Sequence, residues 1–140
     1  MSLKTMVRKD VATFEMDVPV IEAARAMEER NIGCVVIVDQ RRPVGILTDR
    51  DLVVRVMNKG KDPRTMRVSE AMTRNPTILS EDLGLYEALE QARGKPIRRF
   101  PVIDSNGHLT GFFTVDDVLR LVGKEMGAVA SILEKEMAYA

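Results

Sequence analysis

The chain has 140 residues, of which 45% are hydrophobic and 30% are charged, values typical of a folded domain rather than a disordered segment. Lysine plus arginine equals aspartate plus glutamate at 21 each, so net charge gives no argument for binding nucleic acid or an anionic membrane. No apolar run reaches the roughly 18 residues that span a bilayer, and the N-terminus lacks the apolar core of a signal peptide. Cys34 is the only cysteine, which excludes a disulfide framework, and we expect a cytoplasmic protein.

Hydrophobic periodicity in the first half of the chain predicts a short strand, an amphipathic helix, a hairpin and a second helix. Residues 1–10 are expected to run along the surface into this half. Asp17 is a candidate cap of the first helix, and Asn31 with Gly33 ends it. The predicted elements are a strand at 11–14, a helix between Asp17 and Asn31, strands at 34–38 and 44–47, and a helix capped by Thr48 with the inner face Leu52, Val53, Val56 and Met57.

The second half repeats this plan after a connector at residues 58–74. Its predicted elements are a short helix at 68–72, a strand at 77–79, a helix at 83–92, strands at 100–103 and 109–113, and a helix from Thr114. Gly123 and Gly127 are expected to weaken that last helix. Beyond them lies an apolar stripe, which we expect to pack on its own domain, with a partner subunit as the alternative. It comprises Met126, Val129, Ala130, Leu133 and Met137.

A nine-residue stretch occurs twice, at Gly45–Val53 and at Gly111–Leu119. Both copies have a glycine, a threonine three residues later and an aspartate three residues after that. Upstream, five residues separate Asp39 from Gly45, whereas six separate Asp104 from Gly111. A turn tolerates such an insertion in a duplicated fold, so the chain is interpreted as one module made of two copies.

Two interpretations of the repeated stretch are open from the residues alone. A threonine followed three residues later by an acid at a helix start forms a capping box, and the glycine before it lets two backbones approach. Alternatively, the free amides at the helix start and the fixed carboxylate bind a ligand, since carboxylates accept hydrogen bonds from ribose hydroxyls in dinucleotide folds. A cleft between two related halves would then contain both such ends.

With these residues the chain resembles a stand-alone pair of cystathionine β-synthase (CBS) domains. Besides both motifs, the resemblance includes Val36-Ile37-Val38-Asp39 and Pro101-Val102-Ile103-Asp104, and it extends from about Val7 to Val122. It implies an α+β fold in which two motifs of the β-α-β-β-α type form a pseudo-two-fold arrangement of small sheets covered by helices. The implied segments are a first CBS domain at 1–60, a connector at 61–75, a second domain at 76–123 and a C-terminal helix at 124–140.

The same resemblance implies a regulatory module that binds AMP, ADP or ATP, or S-adenosylmethionine or another nucleotide, in clefts between the two copies, with no obligatory cofactor. Asp51 and Asp117 would bind ribose hydroxyls, Thr48 and Thr114 would lie near ribose or phosphate, and the backbones of Ile46 and Phe112 would face the base. Residues of the opposite copy would complete each pocket. They are Val18, Ala23, Ile32 and Gly33 for one pocket, and Leu83, Ala88 and Ile97 for the other.

Charge distinguishes the two predicted pockets. The second copy has Arg98 and Arg99 before its central strand, where the first has Gly33 and Cys34. The resemblance implies a phosphate contact at the position of Arg99, and guanidinium groups suit phosphate oxygens. We therefore expect both arginines beside Thr114 and Asp117, and tighter nucleotide binding in the second pocket.

Other classes of function fit the sequence less well. His108 is the only histidine and lies in a turn, Cys34 has no base nearby, and the chain has no Gly-x-x-x-x-Gly-Lys loop, so we expect no enzyme and no metal site. An interaction or nucleic-acid-binding module is the alternative, because basic residues cluster around the connector. Few aromatic residues are available for stacking, which argues against nucleic acid. We expect a homodimer that acts on an unknown effector protein.

Overall fold

Two small β-sheets, one from each repeat, face each other at the centre of the protein. The computed structural model describes residues 2–139; Met1 and Ala140, the ends of the predicted first and last segments, lie outside that range. The helices are α1 (Leu3–Met6), α2 (Val20–Arg30), α3 (Asp49–Asp51) continued by a π-helix (Leu52–Met57), α4 (Val68–Ala71), α5 (Leu85–Ala92) and α6 (Val115–Tyr139). The strands are β1 (Thr13–Glu15), β2 (Cys34–Asp39), β3 (Arg42–Thr48), β4 (Thr73–Arg74), β5 (Leu79–Ser80), β6 (Arg99–Ile103) and β7 (Leu109–Thr114).

Both sheets are built from the same unit, which confirms the predicted α+β fold. In the first sheet the order is β1-β2-β3-β4, with β1 parallel to β2 and the other pairs antiparallel. The second sheet has the order β5-β6-β7, again with one parallel and one antiparallel pair. Each repeat therefore contributes a strand, a helix and a hairpin, as the periodicity predicted.

Three groups of buried apolar side chains hold the molecule together. One fills the first repeat beneath α2, and a second fills the second repeat around Phe100 and Phe113. The third lies between the two sheets, where Val36 and Ile46 of the first repeat pack with Phe112 of the second. The sheets are thus joined through their inner faces, and the ends of β3 and β7 are brought to the same central region.

The segment that leads into each repeat is buried in the core of the other repeat. Leu3 of α1 is fully buried with the second-repeat core, and its amide donates to the Leu83 carbonyl at 2.8 Å. The equivalent residue of the second lead segment, Val68 of α4, is fully buried in the first-repeat core, and its amide donates to the Val18 carbonyl at 2.8 Å. The expectation that residues 1–10 run along the surface was therefore wrong.

The motif glycines permit this crossing. A Cβ at Gly111 would lie 2.6 Å from the Arg8 carbonyl oxygen, and a Cβ at Gly45 would lie 3.1 Å from the carbonyl oxygen of Thr73 and against the Met72 side chain. Arg8 bridges Phe112, and β4 pairs with β3, so in both repeats a lead segment lies directly against the glycine. Close backbone approach is therefore the role that the structure assigns to these glycines, rather than contact with a ligand.

Helix faces differ from the predicted ones in two places. Val56 is buried as expected, but Val53 and Met57 of the predicted inner face are exposed, because the turn after Asp51 is a π-helix rather than an α-helix. The first helix is not capped by Asp17; it begins after Pro19 without a side-chain cap. The predicted helix at 83–92 begins at Leu85, after Gly84.

The C-terminal helix is continuous through Gly123 and Gly127, contrary to the expected weakening. Val118 is buried in the second-repeat core, but every side chain from Val122 to residue 138 is exposed. The predicted packing of the apolar stripe on its own domain is thus wrong. No helix within residues 2–139 combines the length and apolar character required to cross a membrane.

The buried position of Leu3 predicts a large cost for its truncation. Leu3→Ala should lower the free energy of unfolding by about 2–5 kcal/mol, because it leaves a cavity in the second-repeat core. Urea unfolding measures the loss, and Lys4→Ala, on an exposed side chain of the same helix, is the matched control that should change little. Equal stability of both variants would show that α1 is not part of the core.

Candidate functional site

Two clefts lie between the repeats, each beside the end of a motif strand. The first has a volume of about 500 Å³ and opens beside β3 and α3. Apolar contact surface comes from Ile46 of the first repeat and Ile97 of the second. The side chains that line it are Ile46, Thr48, Asp49, Arg50, Asp51, Thr73, Pro76, Pro96, Ile97, Arg98, Arg99 and Asp116.

Thr48 and Asp51 are held rigidly at the edge of the first cleft by a capping box. The Asp51 amide donates to Thr48 Oγ1 at 3.2 Å, and the Thr48 amide donates to Asp51 Oδ2 at 2.9 Å. Asp51 Oδ1 lies 3.7 Å from Arg55 Nε, its one ion pair among the residues described. The capping interpretation is therefore correct, and it leaves Oδ1 with acceptor capacity toward the cleft.

The second cleft is smaller, about 260 Å³, and lies beside β7 and the start of α6. Phe112 and Thr114 occupy positions equivalent to Ile46 and Thr48 in the first cleft. The lining residues are Arg8, Asp10, Val11, Ala12, Asn31, Ile32, Gly33, Cys34, Arg99, Phe112, Thr114, Asp116 and Arg120. Each cleft is therefore lined by the motif of one repeat and by residues at the start of the central strand of the other repeat.

Asp117 differs from Asp51 in its partners. Thr114 Oγ1 accepts from the Asp117 amide at 3.1 Å, as in the first repeat. Asp117 Oδ1, however, lies 3.3 Å from Arg8 Nη2 and 3.2 Å from Arg120 Nη1, and both arginines line the second cleft. Its Oδ2 is buried and accepts no hydrogen bond from residues 2–139. Asp117 does not line the cleft itself, and a ligand would have to displace guanidinium groups to reach it.

The structure corrects the predicted position of the arginine pair. Arg98 lines the first cleft, beside Thr48 and Asp51, and not the second. Arg99 lines both clefts. Its backbone is opposite Thr114 in the β6–β7 ladder, as the sequence suggested, but its neighbour Arg98 faces the other repeat. The guanidinium groups are thus shared between the clefts rather than concentrated in the second one.

Of the residues predicted to complete the pockets, three line a cleft and four do not. Ile32 and Gly33 line the second cleft, and Ile97 lines the first, each opposite the motif of the other repeat. Ala23 and Ala88 are fully buried in the repeat cores, whereas Val18 and Leu83 pack against those cores. The carbonyls of Val18 and Leu83 accept the hydrogen bonds from the crossing lead segments.

Several lining residues were not predicted. Arg8 reaches the second cleft on the crossing lead segment, and Arg120 reaches it from the second turn of α6. Arg120 could have been found from its spacing, because it lies three residues after Asp117 on one helix face. Arg8 had no such signal, since the motif it contacts lies more than 100 residues away in the chain.

Cys34 lies at the wall of the second cleft and is half-buried. Burial raises the pKa of the Cys34 thiol from 9.0 to about 11, although the nearby Arg99 guanidinium opposes that shift. The thiol is therefore neutral at physiological pH. No three His, Cys, Asp or Glu side chains within residues 2–139 are grouped so that they could hold a metal ion.

Two similar repeats that join at their sheets, with a cleft at each motif end, define a paired-domain module. A family model described as the CBS domain matches residues 3–58 and 68–124. The chain therefore belongs to the CBS domain family, as the resemblance indicated, and it contains two such domains.

The chain is also similar to individual proteins and solved structures. An uncharacterised protein of Methanopyrus kandleri is 38% identical over 137 residues, which cover 97% of this chain and 68% of that protein. This chain thus spans about two thirds of that relative. The crystal structure of Hypoxic Response Protein I with two coordinated zinc ions has a TM-score of 0.77 at 28% identity, over 86% of this chain and 98% of that one. The CBS domain pair of protein MJ0100, in complex with 5′-methylthioadenosine and S-adenosyl-L-methionine, has a TM-score of 0.76 at 27% identity, over 89% and 98% of the chains.

The raised pKa of Cys34 predicts slow alkylation. At pH 8 the thiolate fraction of a thiol with a pKa near 11 is about 100-fold lower than that of a thiol at 9.0, so iodoacetamide should react correspondingly slowly in the native protein. Above pH 9, ionisation of this thiol lowers the free energy of unfolding. The unfolded thiol ionises first, so the stability contributed by the buried thiol is lost as the pH rises from about 9 to 11. Mass spectrometry of native and urea-unfolded protein measures the two alkylation rates, and equal rates would contradict the assigned burial.

Proposed function

We propose that this CBS pair is a non-catalytic regulatory module that binds an adenine nucleotide in its first cleft. The observation that carries the proposal is the convergence of the fixed Asp51 carboxylate and three arginines, Arg50, Arg98 and Arg99, on one cavity of about 500 Å³. That volume lies within the usual range of roughly 300–1,000 Å³ for small-molecule sites. Ile46 and Ile97 provide the apolar surface that a purine base requires.

Each part of a nucleotide has a matching group in this cleft. Asp51 Oδ1 has acceptor capacity for a ribose hydroxyl, and the capping box fixes its direction. Arg98 and Arg99 offer charge-assisted hydrogen bonds to phosphate oxygens. The apolar surface comes from Ile46 within the motif and Ile97 of the other repeat, so base, ribose and phosphate can be contacted together.

The second cleft is proposed as the weaker site. Its cavity is about half the volume of the first, and Asp117 is already paired with Arg8 and Arg120. A ribose that bound Asp117 would have to break these contacts, whereas Asp51 has a single longer ion pair with Arg55. This reverses the preference expected from sequence, because that expectation placed both Arg98 and Arg99 in the second cleft.

The MJ0100 complex supports adenosine as the common part of the ligand. Both of its ligands contain adenosine but carry no phosphate. S-adenosylmethionine is therefore the alternative ligand for this chain, and the arginines separate the two cases. A phosphorylated ligand should depend on Arg98, whereas 5′-methylthioadenosine should not. We further propose that the module is a homodimer that transmits ligand occupancy to an effector protein.

Calorimetry with paired variants tests the site assignment. Asp51→Ala should abolish the tightest adenine-nucleotide binding, because it removes the ribose acceptor and half of the capping box. Asp117→Ala, at the equivalent position of the second repeat, is the matched control and should preserve that binding. If Asp117→Ala removes the tight site while Asp51→Ala preserves it, the first cleft is not the principal site.

Ligand charge gives a separate test of the arginine role. Arg98→Ala should weaken ATP binding by about 10- to 100-fold, since a charge-assisted hydrogen bond contributes roughly 1.5–3 kcal/mol. Binding of 5′-methylthioadenosine to the same variant should be unchanged. Equal losses for both ligands would show that Arg98 supports the fold of the cleft and not phosphate recognition. Absence of binding by AMP, ADP, ATP and S-adenosylmethionine to the wild-type protein would contradict the proposed function itself.

A further inference from the structure

The outer part of α6 leaves the body of the protein with an apolar stripe exposed. Beyond Val118 the helix has no buried side chain through residue 138, and residues 122–138 form roughly 25 Å of free helix. Met126 is 63% exposed and Leu133 is 53% exposed. Surface leucines occur singly on many proteins, but a continuous stripe of this length marks an interaction surface.

A seam of five apolar residues along α6, which shares three residues with the apolar stripe, has the spacing of a two-stranded coiled coil. Its five residues are separated by three, four, three and four positions, the pattern that keeps one seam facing a partner helix. They are Leu119, Val122, Met126, Val129 and Leu133. No other helix among residues 2–139 is longer than the 11 residues of α2, so a helix of matching length is available only from another molecule.

We propose that the free length of α6 pairs in antiparallel orientation with α6 of a second copy of this chain. The proposal rests on the homodimer proposed above and specifies its contact surface; it does not depend on nucleotide binding. In this orientation the seam residues of one helix face the same set of seam residues on the other helix. When Met126 of one helix lies opposite Val129 of the other, Val122 lies opposite Leu133, and the same pairs recur on the other side of the two-fold axis.

Charge favours the antiparallel orientation over the parallel one. Glu136 occupies the next seam position after Leu133. Parallel helices would bury Glu136 against the same residue of the second copy, which brings two like charges together. In the antiparallel register given above, Glu136 lies opposite Leu119 of the other helix, one residue from Arg120 near the base of that helix. The Arg120 side chain is 69% exposed despite its ion pair with Asp117, so it is accessible to a second carboxylate.

Small residues beside the seam permit close approach in the same orientation. Gly123 and Ala130 flank the seam on one side, and in the antiparallel alignment each lies opposite the other in the second copy. A Cβ at Gly123 would contact nothing within 4 Å of its own chain, so its absence is not required by the monomer. The missing side chain instead leaves room for the backbone of a neighbouring helix.

Sedimentation equilibrium with full-length variants tests the surface. Met126→Glu should raise the dimer dissociation constant by about 100-fold, because it places a charge in the seam. Lys124→Gln changes the net charge by the same amount on the opposite face of the helix and should leave the dissociation constant unchanged. Circular dichroism confirms that both variants fold. A dimer unaffected by Met126→Glu would overturn this surface, whereas a wild-type monomer at high micromolar concentration would overturn the homodimer as well.

Disulfide trapping tests the orientation. Two proteins, Val122→Cys and Leu133→Cys, each carrying Cys34→Ser, are mixed and oxidised. The antiparallel helix pair predicts a disulfide between the two different proteins. Disulfides that form only between identical proteins, 122 to 122 and 133 to 133, would show a parallel pair and overturn the orientation. If the mixture is dimeric but neither the mixed disulfide nor the disulfides between identical proteins form, the α6 helices do not pair.

Discussion

The crossing of the two lead segments is the constraint on which the rest of the structure depends. Leu3 fills the core of the second repeat, and Val68 fills the core of the first, each fixed by a backbone hydrogen bond of 2.8 Å. Burial of Leu3 stabilises the second repeat, and burial of Val68 stabilises the first, so each lead segment stabilises the opposite repeat. The two repeats are consequently held in one relative orientation, and the clefts between them have defined walls.

The same crossing supplies functional groups to the clefts. Arg8 follows α1 into the second cleft, and Thr73 follows α4 into the first. The clefts are therefore equivalent in backbone but different in charge. Where the second repeat has Arg98, the first has Gly33, which allows the Asp49 carboxylate to approach to within 2.9 Å of a Cβ position. The two clefts of the repeated frame therefore differ in charge because different residues stand at the ends of equivalent strands.

Much of the fold could be predicted from the sequence because the same pattern of strands, helices and motif occurs in both halves of the chain. Alternating and helical periodicity located the hairpins and the main helices, and the motif spacing identified both capping threonines. The partner of α1 could not be predicted, since a four-residue helix has no readable period and its contacts lie about 80 residues away. The sequence also could not predict which of the two clefts Arg98 lines. Adjacent residues at the start of a strand face opposite ways, and only the packing of the two sheets decides which cleft each one meets.

A lead segment that belongs to the opposite core also affects how the chain could be divided. A break in the connector near Gly60 would produce two fragments, each with one repeat body and the lead segment of the other's core. Neither fragment alone would bury its apolar surface fully, but together they would reconstitute both cores by mutual exchange. The tandem chain is, in this sense, a domain-swapped dimer joined by a linker. Two identical single-repeat chains could form the same architecture without any covalent connection.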